Sequence, residues 1–372
     1  MSKKSSKIPE NGKRSLHNNN PDHSGTKSQI KPVLAISMGD KNGVGPEVIL
    51  KTLHSLLYSD KNNSDGKNLP GFLLFACPET MSYYAKKMNL PCFWQEGNLS
   101  VLPEQGIVHL IPLFSTDNDI RPGEISASAG ELSMLAIKAA ADSCLDGNAD
   151  ALITAPISKE AINLAGYQVP GHTEFLAECT GSEDVGMMLV NDSMRIGLAT
   201  IHIPLRDVPA ALHQVSLEKK LRLFHHSLVN QFSITSPRIA VLGLNPHAGD
   251  GGVIGTEEIE IISPIIRKLK AEGLDISGPW PSDGFFGSKS HENVDMIMAM
   301  YHDQGLIPLK LTGFGSGVNM TVGLPIIRTS PDHGTAFSIA GRNQADAGSM
   351  KRALHLAWSL AVNRDSGQKK TL

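Results

Sequence analysis

The sequence is short of several things that define whole classes of protein. No apolar run approaches the ~20 residues needed to span a bilayer, so a membrane protein is not expected. The N-terminus carries lysines but no apolar core of a secretory signal. Only 4 of the 372 residues are cysteine. Cys77, Cys92, Cys144 and Cys179 are scattered, with no CxxC pair. That excludes a disulfide framework or thiolate metal site and points to reduced thiols in a cytoplasmic protein. A net charge of −3 lacks the basic excess of a polyanion binder, so nucleic acid is not an expected partner. There is no internal repeat, and none of the local signatures GxGxxG, GxxxxGK(S/T) or HExxH.

What is there is an ordinary globular composition, 41% hydrophobic and 19% charged, long enough for two α/β domains or one large one. Residues 1–30 hold almost nothing apolar and cannot offset their ordering entropy; they read as a disordered, non-catalytic extension. From Pro32 onward short apolar runs alternate with helical patterns. Val33–Met38, Phe72–Ala76, Ile107–Ile111 and Ala151–Thr154 read as strands. Glu79–Met88, Ala127–Leu145, Leu217–Phe232 and Ala345–Val362 read as helices. This alternation predicts a largely parallel, doubly wound sheet.

Three apolar runs end in the same way. Met194–Ile201 ends in His202, Arg238–Leu244 in Asn245-Pro246-His247, and Met296–Tyr301 in His302-Asp303. Ligands of α/β sheets bind outside the carboxyl ends of strands. His202, His247 and His302 are therefore expected to converge on one divalent metal, with Asp303, Asp283 and the glycine-dense loop Gly249–Gly255 nearby. Lys310 and Arg328, with Asn319 between them, are expected in loops after the His302 strand, where cations suit a carboxylate or phosphate. Lys310 is a candidate proton carrier. His172 and Thr173 lie near a helix N-terminus and suit an anion, though on these residues alone Thr173 reads better as a simple N-cap. The turn Gly39-Asp40-Lys41-Asn42-Gly43-Val44-Gly45-Pro46-Glu47 resembles a phosphate cradle in outline, but Asp40 opposes an anion, and a purely structural turn is as good a reading.

Seven ordered stretches together resemble the 4-hydroxythreonine-4-phosphate dehydrogenase family. They are Gly39–Glu47, Gly171–Phe175, His202–Asp207, Gly243–Gly249, Ala299–Gly305, Gly313–Asn319 and Ile327–Ala336, and the resemblance covers roughly Pro32 to Val362. The resemblance implies an α/β fold like that of isocitrate and isopropylmalate dehydrogenases, with an active-site cleft between two domains. One is a cofactor-side domain, 31–160 plus 305–372; the other is a metal and dimerisation domain, 161–304. It implies His202, His247 and His302 as metal ligands (zinc, magnesium or cobalt), and His172, Thr173, Lys310, Asn319 and Arg328 as substrate contacts. Lys310 and Asp303 are the catalytic candidates, with Asp303 open as an outer metal ligand, a proton partner for Lys310 or a support for His302. His333, Gly334, Thr335, Ala336 and Gly341 match the cofactor loop for NAD, possibly NADP.

The implied reaction is NAD-dependent oxidation of 4-phosphooxy-L-threonine, a small phosphorylated hydroxy-amino acid, to a β-keto acid that loses CO2 to give 3-amino-2-oxopropyl phosphate. The implied assembly is a homodimer whose active sites draw on both subunits. A threonate or erythronate 4-phosphate dehydrogenase is the alternative within the family, and a phosphate acetyltransferase-like enzyme the alternative outside it. The family commonly has Pro-Ala where this chain has Lys41-Asn42, and often Glu where it has Asp250.

Overall fold

The computed structural model describes residues 32–58, 69–114, 119–214, 216–313 and 315–368. The expected disordered extension, residues 1–30, lies outside them. In chain order the elements are β1 (Val33–Ser37), α1 (Gly45–Tyr58), β2 (Gly71–Ala76), α2 (Pro78–Lys87), β3 (Gln95–Glu96), β4 (Val108–Pro112), α3 (Ala127–Leu145), β5 (Ala151–Thr154), α4 (Lys159–Leu164) and α5 (His172–Thr180). They continue with β6 (Gly186–Val190), β7 (Arg195–Leu198), α6 (Val208–Gln214), α7 (Leu217–Asn230), β8 (Ile239–Leu242), α8 (Ser263–Ala271), β9 (Ile276–Trp280), α9 (Ser282–Gly287), β10 (Met296–Ala299), α10 (His302–Thr312), β11 (Val318–Val322), β12 (Ile327–Pro331) and α11 (Gly348–Gln368).

The expected α/β class is what the structure has. Among the described residues, twelve strands form one sheet in the order β3-β4-β2-β1-β5-β12-β11-β6-β7-β10-β8-β9. The strands from β3 to β12 in that order are mutually parallel. Next, β11 pairs antiparallel with both β12 and β6, and β6 antiparallel with β7. Beyond them β7, β10, β8 and β9 are parallel again. Following the pairings through, the second parallel block runs opposite to the first. The largely parallel sheet expected from the sequence is present, but as two parallel blocks joined by an antiparallel seam. The seam was hidden because β6 itself was not anticipated: Gly186-Met187-Met188-Leu189-Val190 has no β-branched or aromatic residue except its last.

The core follows the strand period of two. Leu34, Ile36, Leu74 and Ile153 pack on one side with Val48 and Leu53 of α1 and Leu354 of α11. Ala35, Leu73 and Leu152 face the other side with Ile137 and Ala140 of α3. Strands β1 and β5 are buried along their whole length, as expected of parallel strands covered on both faces. Each fully buried Leu or Ile contributes ~1.5–3 kcal/mol.

A third cluster explains α10. Leu306 and Leu309 bury against Ile196 and Leu198 of β7 and Ile297 and Ala299 of β10. Gly305 permits that approach, since a Cβ there would lie 2.7 Å from the Ile196 side chain. Lys310 was expected in a loop after the His302 strand, and Gly305 and Pro308 are locally poor helix formers. Burial of the leucine face overrides that local preference. The final helix also runs further than expected, to Gln368.

Candidate active site

His202 and His302 leave adjacent strands. Pairing of β7 with β10 continues past their ends: Ala199 N donates to Ala299 O (2.8 Å), and the Thr200 hydroxyl donates to Met300 O (2.7 Å). The two imidazole centroids lie 5.7 Å apart. His302 Nδ1 is 2.7 Å from Asp303 Oδ1. A carboxylate only accepts, so Nδ1 carries the proton and Nε2 is left as a lone-pair donor. Of the roles open to Asp303, this geometry is that of a support for His302. His202 is held below the ordinary histidine pKa, first by burial and then by its neighbours Lys159 and His302, which keeps its ring neutral.

His247 lies on the loop after β8, where His247, Ala248 and Asp250 all adopt left-handed backbone (φ 53°, 51° and 44°). Each such non-glycine residue costs ~1–2 kcal/mol. The loop is held by Asn245, whose backbone N donates to Glu258 Oε1 (2.7 Å) and whose amide donates to Glu257 and Glu258. Among the described residues no group of three or more His, Cys, Asp or Glu side chains could hold a metal ion. Imidazole is a suitable donor for a zinc-like ion, and two of the three rings are side by side. Asp283 and Asp250 are exposed.

Of the expected anion contacts, His172 and Thr173 lie around Arg328. The arginine is the second residue of β12, not a loop residue, and is 2% exposed. Its Nε and one Nη donate to Thr154 Oγ1 (3.2 and 2.7 Å), and the other Nη donates to Thr321 Oγ1 (3.0 Å). Three of the five guanidinium N–H groups are thus engaged, leaving two. No carboxylate pairs with it among the described residues. Burial pulls its pKa down to about 9, still protonated at neutral pH, while Glu174 acts the other way.

Thr173 is not the N-cap, which is Gly171; its hydroxyl lies 3.2 Å from Thr321 Oγ1. His172 is kept neutral by burial first and by Arg328 second. Its Nε2, Asn319 Oδ1 and His333 Nε2 are buried polar atoms without a partner. Such atoms are rare and call for an explanation, and a ligand supplies one. Thr154 and Thr321 were not anticipated; the signal was a threonine at or near the end of a buried strand.

Lys310 sits in the last turn of α10 and Asn319 in β11, so neither lies in a loop. Asp332, also not anticipated, joins the groups together. Burial raises its pKa, and Lys310 first, then His302 and His333, pull it back, so all three side chains bear on one carboxylate. The loop His333–Gly341 follows directly, with Gly334 and Ala336 exposed. The four cysteines are unpaired and Cys92 is exposed.

Comparison with known proteins bears on this arrangement. The family described as "Pyridoxal phosphate biosynthetic protein PdxA" matches residues 77–357. A 4-hydroxythreonine-4-phosphate dehydrogenase of Prosthecochloris aestuarii is 43% identical over 338 residues, 89% of this chain and 97% of the relative. A solved structure of the enzyme of that name from Klebsiella pneumoniae aligns with a TM-score of 0.76 at 36% identity, covering 90% of this chain and 99% of the other. One from Burkholderia phymatum aligns with a TM-score of 0.74 at 38% identity, covering 89% and 98%.

Proposed function

The chain belongs to the PdxA family of pyridoxal phosphate biosynthetic proteins, and from that premise we propose that it is a 4-hydroxythreonine-4-phosphate dehydrogenase. It oxidises the 3-hydroxyl of 4-phosphooxy-L-threonine with NAD, and the β-keto acid loses CO2 to give 3-amino-2-oxopropyl phosphate. The observation that carries this reading is Arg328. It is a buried guanidinium with hydroxyls for neighbours, two free N–H groups and no counter-charge in contact, close enough to His172 to act on its charge. A buried charge without a partner costs several kcal/mol, so a site of this kind is built for an anion that arrives.

In the reaction, Arg328 and the neutral His172 hold one anionic group of the substrate, with Thr173 alongside and Asn319 completing the contacts. Lys310, paired in charge with Asp332, moves the hydroxyl proton away and returns a proton to carbon after CO2 leaves. His202, His247 and His302 are the residues that would hold a divalent ion. Such an ion, when bound, supplies Lewis acidity to the oxygen that gains charge, and NAD supplies the hydride acceptor. His333 to Ala336 and Gly341 hold the dinucleotide.

The active form is a homodimer in the cytoplasm, and the second chain completes the histidine set. Large apolar side chains support the dimer. Val253 on the His247 loop is 84% exposed and Leu311 on α10 is 82% exposed, with Ile307 one turn before it also open. The reversal of strand direction supports division into a cofactor-side unit, 31–160 plus 305–372, and a metal-side unit, 161–304.

The deciding experiment measures NADH formation from 4-phosphooxy-L-threonine, threonate 4-phosphate and erythronate 4-phosphate with several divalent metals. Turnover of the amino acid phosphate is expected; activity confined to the other two would replace the proposal with the four-carbon acid alternative.

A further inference from the structure

The turn between β1 and α1 is the one motif that the proposed reaction leaves unused. Its backbone donors show that it does not cradle a phosphate. Asp40 N donates to Pro156 O (2.9 Å), Gly43 N to Asp40 O (3.1 Å) and Val44 N to Thr335 O (2.9 Å). Asn42 N donates to Asp40 Oδ1 (2.8 Å). Asp40, Lys41 and Asn42 are at most 1% exposed, so no ligand reaches them. What the turn does touch is the loop His333–Gly341. Besides the Val44 bond, a Cβ on Gly43 would lie 3.0 Å from Thr335 O. The buried Glu47, in the first turn of α1, accepts from Gly341 N through Oε1.

Asn42 extends the same support through a second segment. Its Nδ2 donates to Glu124 O (3.0 Å) and Ser126 Oγ (3.4 Å), and its Oδ1 accepts from Arg121 N (2.8 Å). Its carbonyl accepts from Gly123 N (2.8 Å). The segment so fixed lies against the His333–Gly341 loop: a Cβ on Gly123 would be 3.1 Å from Phe337 O, and one on Gly341 would be 2.8 Å from the Pro122 ring. We propose that Asn42 and Glu47 are positioning residues that fix the dinucleotide loop, Glu47 by bonding Gly341 and Asn42 by pinning residues 121–126 against it. Alanine, which the family commonly has at this position, cannot make the three side-chain bonds of Asn42. The support is therefore a feature of this chain's own departure from the family pattern. Its physical basis is preorganisation: a loop already held in its bound form loses less entropy when the ligand docks.

The inference rests on reading His333–Gly341 as the dinucleotide site, so the test separates the two. NADH binding to the metal-loaded protein is measured by calorimetry for Asn42→Ala, Glu47→Ala, Glu47→Gln and His333→Ala. Substrate KM, divalent-metal affinity and hydrogen exchange across 121–126 and 333–341 are measured alongside. Asn42→Ala and Glu47→Ala are each expected to weaken NADH about five- to tenfold, the effect of losing one or two net hydrogen bonds. Substrate KM and metal affinity stay within about twofold, and exchange quickens in both segments. Glu47→Gln keeps the acceptor and is expected to bind NADH as the parent does. Unchanged NADH binding in both alanine variants, with His333→Ala weakened, overturns the positioning role alone. Unchanged binding in His333→Ala as well overturns the reading of the loop. Equal losses for NADH, substrate and metal identify general damage to the fold and also overturn the role. If Asn42→Ala does not fold, the contrast between the two Glu47 variants decides.

Discussion

Two glycine-dense turns follow buried strands in this chain, one after β1 and one after β8, and they have opposite characters. The first is sealed: Asp40, Lys41 and Asn42 are buried, and its backbone donors are spent on Pro156, Asp40 and Thr335. The second is open: His247 and Asp250 are exposed, and Gly251 has nothing within 4 Å of where a Cβ would be. It carries strained left-handed residues held by Glu257 and Glu258. The first turn is a floor under another loop and the second is a rim that presents a histidine. Glycine density alone marks both, because it records backbone freedom and not what uses that freedom.

If the contrast is right, changes on the rim and in the anion pocket alter metal and substrate handling, and changes in the floor alter stability and the loop it supports. The largest effect is expected for His302→Ala. Loss of bound divalent metal and a fall in turnover of ~10³-fold or more should accompany an unchanged thermal midpoint, since several kcal/mol of charge stabilisation disappear without loss of core. Metal content by elemental analysis and turnover check this, and full activity without metal would remove the metal from the mechanism.

Arg328→Met should lower kcat/KM for the phosphorylated substrate by ~10²–10³-fold, the loss of a buried charge contact worth ~2–5 kcal/mol. The fold should not weaken, because an unpaired buried charge is replaced by an apolar side chain of similar length. A loss of stability with kcat/KM intact would make Arg328 structural.

Asp40→Asn tests the floor. Burial raises the Asp40 pKa from 3.8 to about 6. Between those values the unfolded chain has released the proton that the folded chain keeps. Stability therefore falls as pH rises through that window and stays low above it, by at most about 3 kcal/mol. Asparagine keeps the Oδ1 acceptor for Asn42 N and cannot ionise. The variant should be more stable than the parent above pH 6 and lose the slope between pH 4 and 6 in chemical denaturation. Parallel curves for the two proteins would show that Asp40 does not titrate this way. The smallest effect is expected for Asp303→Asn, a ~10–100-fold loss of metal affinity through the orientation of His302. Chelator competition measures it, and an unchanged affinity would mean that Asp303 does not orient the ligand.

Much of this was legible in the primary structure. The buried strands β1, β2, β4 and β5 and the helix Ala127–Leu145 are fixed by local apolar pattern, so the sequence reading locates them within a residue or two. The placement of His202, His247 and His302 just beyond strand ends was legible for the same reason, since an apolar run that stops abruptly shows where the chain leaves the core. The helix α10 was not legible, because its leucines gain their energy from β7 and β10, distant in sequence, while Gly305 and Pro308 are locally poor helix formers.

The sequence by itself determined the α/β class, the placement of three histidines just beyond strand ends, and, through seven ordered motifs, the family. The tertiary structure alone decided that the sheet reverses direction at β11 and β6, since pairing sense depends on contacts between strands far apart in the chain. It alone placed Thr154, Thr321 and Asp332 beside the expected residues, and it alone distinguished the floor from the rim. Burial and hydrogen-bond partners are properties of the assembled chain, and for Asp40, Asn42 and Arg328 they decide what each side chain can do.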